Sequence, residues 1–161
     1  MNGRNPQQAS ESMMVLNRLL ILIQYSLASY LRYASPWTQQ GNGQMLEAVR
    51  QITANHEAHV DRIGRLIRER RGKIDRGEFP TQFTAYNYLA LDYLALRLVE
   101  HERKLIEEIA RCVDELGTDP EALQLGQSLL ASERQNLRTL TELFSPHTLR
   151  ATPHSVAALV A

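Results

Sequence analysis

The stretch MLEAVRQITANHEAHVDRIGRLIRER, Met45–Arg70, decides how the rest of the chain is read. Met45, Val49, Ile52, His56, His59, Ile63 and Leu66 recur in steps of four and three. That spacing places all seven on one face of an α-helix. A helix over about Gln44–Arg71 burying this seam would carry two histidines at mid-length, on the same face.

Working outward, glycine and proline interrupt the chain at Pro36–Gly43, Gly72–Pro80, Gly117–Pro120 and Ser145–Pro153. The segments between them are rich in Leu, Ala, Arg, Glu and Gln, all good helix formers. A first helix is expected over about Ser12–Ala34, capped by Ser10 or Ser12, with residues 1–11 as a flexible tail. Its core stripe is Leu16, Leu20, Ile23, Leu27 and Tyr30; Leu19, Leu22 and Tyr25 form a second apolar face. Two apolar faces on one helix suggest a core contact plus a contact between copies, giving a homodimer or larger homo-oligomer through the first helix. A third helix runs from somewhere after Pro80 to about Leu116, with the seam Leu91, Ala95, Leu98, Glu102, Leu105 or Ile106, Ile109, Val113 and Leu116. Thr118-Asp119-Pro120-Glu121 announces a fourth: a cap, a proline in the first turn and an early acid. Leu123, Gly126, Leu130, Glu133, Leu137, Leu140 and Phe144 make its seam. No strand alternation competes, so the fold class is all-α: one four-helix bundle over residues 12–145 and a C-terminal tail or short helix over 146–161.

Composition narrows the function classes. Eighteen basic and eighteen acidic residues cancel, which argues against a nucleic-acid binder held by general electrostatics. The basic run from Arg62 to Arg76 is diluted by Glu69 and Asp75 and reads as a solvated face near a helix C-terminus. One cysteine, Cys112, excludes an intramolecular disulfide framework and suits a reducing, cytoplasmic setting. It lies on the third seam and reads as a small core hydrophobe. The most apolar stretch, Val15–Leu31, is broken by Arg18, Gln24 and two serines. It falls short of the roughly 20 clean apolar residues of a membrane span. No phosphate loop, nucleophile elbow or CxxC pair is present.

Chemistry enters at four seam positions where an apolar residue is expected: His56, His59, Glu102 and Glu133. Each costs several kcal/mol to bury without a partner. Two imidazoles and two carboxylates form a ligand set for iron, manganese or zinc. Glu100 points away from Glu102 around the helix and is its alternate; Asn136, one turn after Glu133, borders the same face. Two readings stand: one bound metal ion, or a metal-free set of core polar groups. No catalytic residue is assigned.

Gln24-Tyr25, His59-Val60-Asp61-Arg62 and Leu130-Ala131-Ser132-Glu133, with the helix lengths, resemble the ferritin-like superfamily, bacterioferritin being the nearest pattern. The resemblance implies a bundle that crosses over between its second and third helices, and a short fifth helix in the tail. It also implies a di-iron site with one Glu from each of two helices and Glu-x-x-His from each of the others. Carried over, His59 matches the second-helix His, Glu102 (or Glu100) the third-helix Glu, and Glu133 the first residue of the fourth-helix pair. His56 stands where that family has Glu, Asn136 where it has His, and Arg18 near its first-helix Glu. With those ligands missing, a normal ferroxidase is not expected. What remains is one metal ion held by His56, His59, Glu102 and Glu133, or a vestigial site. Crossover also constrains length. A third helix starting at Phe83 would require about 11 residues to span about 48 Å, beyond their reach of about 40 Å. The third helix is therefore expected to start near Tyr88.

Overall fold

The computed structural model describes residues 5–34, 43–89 and 91–144. These residues are all-α, without a strand. Helix α1 spans Pro6–Gln24, α2 Leu27–Ala34, α3 Gly43–Glu69, α4 Leu91–Glu115 and α5 Pro120–Leu143, and a 3-10 helix covers Thr81–Tyr88. The expected fifth helix, within 146–161, lies outside the described residues. The late start of α4, at Leu91, meets the length requirement derived above.

The N-terminal boundary differs from expectation. Asn5 Oδ1 accepts from the Gln7 N–H at 3.2 Å, and Pro6 occupies the first turn, where its missing N–H costs nothing. Residues 6–11 are therefore helix rather than flexible tail, and Ser12 is buried within α1 instead of capping it.

The first helix is also not one piece. It breaks at Tyr25–Ser26, and its two parts meet at 42°. Ser26 caps α2, its Oγ accepting from the Ser29 N–H at 3.3 Å, while the Ser29 hydroxyl donates to the Ile23 carbonyl at 3.1 Å. The Leu27 N–H, which an unbroken helix would give to Ile23, donates instead to His101 Nε2 of α4 at 3.2 Å. Polar side chains thus replace the backbone ladder where the helix opens. No single described helix is long and apolar enough to cross a membrane; α1 and α2 reach that length only together, across the bend.

Helix α3 packs against α1, α2 and α5, and α4 packs against α5, α1 and α2. The apolar core is in two parts. One is built from Leu16, Leu20, Ile23, Ile63, Leu66, Leu105, Ile109, Leu116 and Leu129; the other from Leu27, Tyr30, Met45, Val49, Ile52, Phe83, Leu98 and Leu140. On every helix the gap between the two parts falls at a polar residue: Ser26, His56 and His59, Glu102, Glu133 and Asn136. The helical core of the described residues is two apolar halves separated by one polar layer.

Residues 70–79 run along the outside of α1. Helix α3 ends in a Schellman turn, with the Gly72 N–H donating to the Ile67 carbonyl at 2.8 Å and the Arg71 N–H to Arg68 at 2.9 Å. Arg71 takes the left-handed position, φ 57°. The glycine is needed one residue later, because a Cβ at Gly72 would lie 2.5 Å from Met13 Sδ. Asn17 holds the strap at both amide ends: Nδ2 donates to the Lys73 carbonyl and Oδ1 accepts from the Asp75 N–H, each at 2.9 Å. Further along, a Cβ at Gly77 would meet Tyr25 Cε2 at 2.6 Å, and the Phe79 ring packs edge-on against Tyr25 and Tyr30. The second apolar face expected on the first helix is therefore partly consumed within the chain. Leu19 is fully buried in the core, Leu22 is half-buried, and Tyr25 lies under Gly77 and Phe79.

Candidate functional site

The polar layer takes its groups from all sides of the bundle. His56 of α3 contributes Nε2, 3.0 Å from Glu133 Oε2 of α5, and Nδ1, 3.3 Å from Ser26 Oγ at the head of α2. Asn136 Nδ2 donates to the same Glu133 oxygen at 3.2 Å, and its Oδ1 accepts from Asn55 Nδ2 of α3 at 2.9 Å. Glu102 enters from α4 beside Glu133. His56, Glu102, Glu133 and Asn136 are all at most 4% exposed. All four seam positions expected from sequence are buried, His59 at the outer edge at 7%.

Charge in the layer follows from burial. Were both carboxylates ionised, Glu102 Oε1 and Oε2 and Glu133 Oε1 would have no donor. Burial, followed by the neighbouring Glu133, pushes the Glu102 carboxyl well above the usual range, so it keeps its proton. Burial alone would raise Glu133 as well, but hydrogen bonds from His56, Glu102 and Asn136 outweigh it and hold Glu133 low. The two acids are thus pushed in opposite directions, Glu102 toward its neutral form and Glu133 toward the carboxylate. His59 is lowered by burial and by Arg62, with Glu133 opposing in part. Burial is also the main reason His101 falls to about 4. A neutral ring is what accepting the Leu27 N–H requires.

The alternates separate cleanly. Glu100 is on the surface, paired with Arg97 at 2.9 Å, so Glu102 is the inward residue of the two. Asn136 belongs to the layer as a donor to Glu133. Arg18 does not enter it: its guanidinium is half-exposed, 2.8 Å from Glu115 and 3.9 Å from Cys112 Sγ. At the level of the layer, the segment between α1 and α2 contributes Ser26. Ser26, His101 and Asn55 were not legible as site residues. The apolar stripe continues through Leu27 and Tyr30, so the Ser26-x-x-Ser29 cap looks like two serines in an ordinary helix. Only the folded position of His101 makes it a partner for the opened backbone.

As the side chains stand, no three His, Cys, Asp or Glu residues among those described are grouped to hold a metal ion. The donors fit such an ion in kind, since three buried carboxylate oxygens of Glu102 and Glu133 lack a partner beside His56. They do not fit in arrangement as they stand. No protein-family model and no curated protein matches the sequence.

Proposed function

We propose that the protein is a ferritin-like four-helix bundle whose polar layer takes one metal ion rather than two, in metal handling or oxidative-stress chemistry. Helix adjacency supports the bundle reading. Helices α3 and α4, joined through residues 70–89, each pack on α1 and α5, the diagonal relation that a crossover makes. The observation carrying the site is the set of donorless carboxylate oxygens on Glu102 and Glu133, fully buried beside His56. Such oxygens are costly to bury without a proton or a cation. His56, Glu102 and Glu133 would hold the ion, with His59 one turn along. Iron, manganese or zinc there would supply Lewis acidity, and the first two redox capacity. Before binding, Glu133 orients His56, Asn136 fixes Glu133, and Ser26 fixes the far side of the ring. Titration of the purified protein with Fe²⁺, Mn²⁺ and Zn²⁺ should give one equivalent bound. Glu102→Gln should weaken binding by at least about tenfold, as loss of a ligand does. Absence of uptake for all three ions sinks this reading.

The second reading is a non-catalytic bundle in which the layer is vestigial and copies associate through α1. The hydrogen bonds that already occupy His56 and one oxygen of Glu133 favour it. Met14, 60% exposed, is the large apolar residue that α1 leaves on the surface. Light scattering should then give at least a dimer, reduced to monomer by Met14→Glu; a wild-type monomer at high concentration counts against it.

A further inference from the structure

Between the α1–α2 break and α3 lies a groove of about 430 Å³. Sites for small molecules usually measure about 300 to about 1,000 Å³. A continuous helix would carry a ridge of side chains past α3, whereas the 42° bend opens a gap there. Val60 and the buried Thr53 and His56 line it from α3; Gln24, Ser29 and Tyr33 line it from the two sides of the break.

One wall is aromatic. Tyr33 is 81% exposed, although tyrosine is ordinarily a part-buried residue. Phe79 of the strap stacks on it, with centroids 6.1 Å apart and planes 26° from parallel. That contact backs one face of the ring, and among the described residues no second ring meets the other. A tyrosine supported on one face and bare on the other is a platform for a flat ring.

Charge and hydrogen bonding narrow which ring fits. Arg32 and Glu57, the charged lining residues, are paired with each other. An ion of either sign would have to break that pair, so the groove suits a neutral ligand. Its polar groups have acceptor capacity to spare. The Ser29 hydroxyl gives its hydrogen to the Ile23 carbonyl at 3.1 Å, and Thr53 gives its own to Val49 at 2.9 Å. Each oxygen also accepts one bond, from Ser26 and from Arg32 respectively, and keeps one lone pair. The exposed Gln24 amide has no hydrogen bond among the described residues, so its oxygen can accept as well.

We propose that the groove binds a neutral, planar aromatic molecule bearing an N–H or O–H, of the indole or phenol class. Its ring lies against Tyr33, and its donor reaches Ser29, Thr53 or Gln24. The ligand then covers His56, the groove residue that also bonds Glu133. No metal ion is needed, so this site stands apart from the single-ion reading.

The test is titration with indole, read from the backbone amide signals of Ser29, Tyr33, Thr53 and Val60 in ¹H–¹⁵N spectra. Saturable shifts confined to the groove are expected. Tyr33→Ala should weaken binding by about fivefold or more, the scale of an aromatic pair and the surface it buries. Tyr33→Phe keeps the ring and should keep the affinity. At 81% exposure the side chain is outside the core, and unchanged signals away from the groove would verify the fold of both variants. N-methylindole, which lacks the donor, should bind about threefold or more weakly than indole. No saturable shift with indole, wild-type affinity in Tyr33→Ala, or an equal loss in Tyr33→Phe overturns the stacking site. N-methylindole binding as tightly as indole overturns the donor requirement, and the ligand class with it.

Discussion

Replacing Glu133 by alanine is expected to destabilise the fold by about 2–6 kcal/mol, since two buried partners are left unsatisfied at about 1–3 kcal/mol each. The change takes the partner from His56 Nε2 and the acceptor from Asn136 Nδ2 together. Urea unfolding measures it; a loss below about 1 kcal/mol would mean that the layer is wet or loosely paired. Glu102→Gln should behave differently, because an amide can still donate to Glu133. Its signature is in pH dependence. The folded state holds the Glu102 proton more tightly than the unfolded chain does, since burial and Glu133 both raise its carboxyl. Between the ordinary carboxylate range, near 4.5, and the raised folded value, the native state carries the extra proton. Raising the pH through that window therefore removes stability from the wild type. Glu102→Gln should lack this loss. The contributions of His59 and His101, which fall as pH drops below about 6.5, cancel in the difference between the two proteins. Parallel stability curves between about pH 5 and about pH 8 would refute a protonated Glu102.

Phe83→Ala should cost about 3–5 kcal/mol, as for other fully buried aromatics. Phe83 is 1% exposed and is the deepest anchor of the connection between α3 and α4. Its ring packs against Tyr30 at 5.6 Å, Tyr86 at 5.9 Å and edge-on against His101 at 5.4 Å. For a chain of this length that energy corresponds to a fall of roughly 6–20 °C in melting temperature. The second consequence is local. His101 loses the ring that positions it, so the Leu27 N–H it accepts should exchange with solvent faster than in the wild type. Unchanged exchange at Leu27 would mean that α4 alone places the imidazole. Phe79→Ala, at a half-buried ring over Tyr25 and Tyr30, should cost less.

The α3 seam was readable because its signal is local and repeated. Met45, Val49, Ile52, His56, His59, Ile63 and Leu66 follow one helical period, and all seven are buried. The same holds for Leu16, Leu20, Ile23, Leu27 and Tyr30, whose burial survives the break because both parts of the helix turn the same stripe inward. On α4 the choice between Leu105 and Ile106 was open at sequence level; packing put Leu105 in the core and left Ile106 half-buried. The boundary at Pro6 was missed since a single Asn-Pro cap among polar residues is a weak signal beside Ser10 and Ser12. Leu19 was placed on an outer face because an isolated helix cannot tell how far its neighbours wrap around it; in the fold Leu19 is in the core, near Gly126 of α5.

Periodicity by itself determined that the chain is all-α, which residues face inward, and that His56, His59, Glu102 and Glu133 interrupt those faces. These are properties of single helices, set by 3.6 residues per turn and the cost of exposing apolar surface. Which of the four would touch was decided only in the folded molecule. The His56–Glu133 bond, the burial of Glu102 beside Glu133, and the place of Ser26 and His101 at the break join residues far apart in sequence. Their distances depend on how helices rotate and stagger against one another, and no single-helix repeat encodes that. The even charge balance of the chain gave no hint of the result: the layer holds its two acids in different states, and only burial against each other makes them differ.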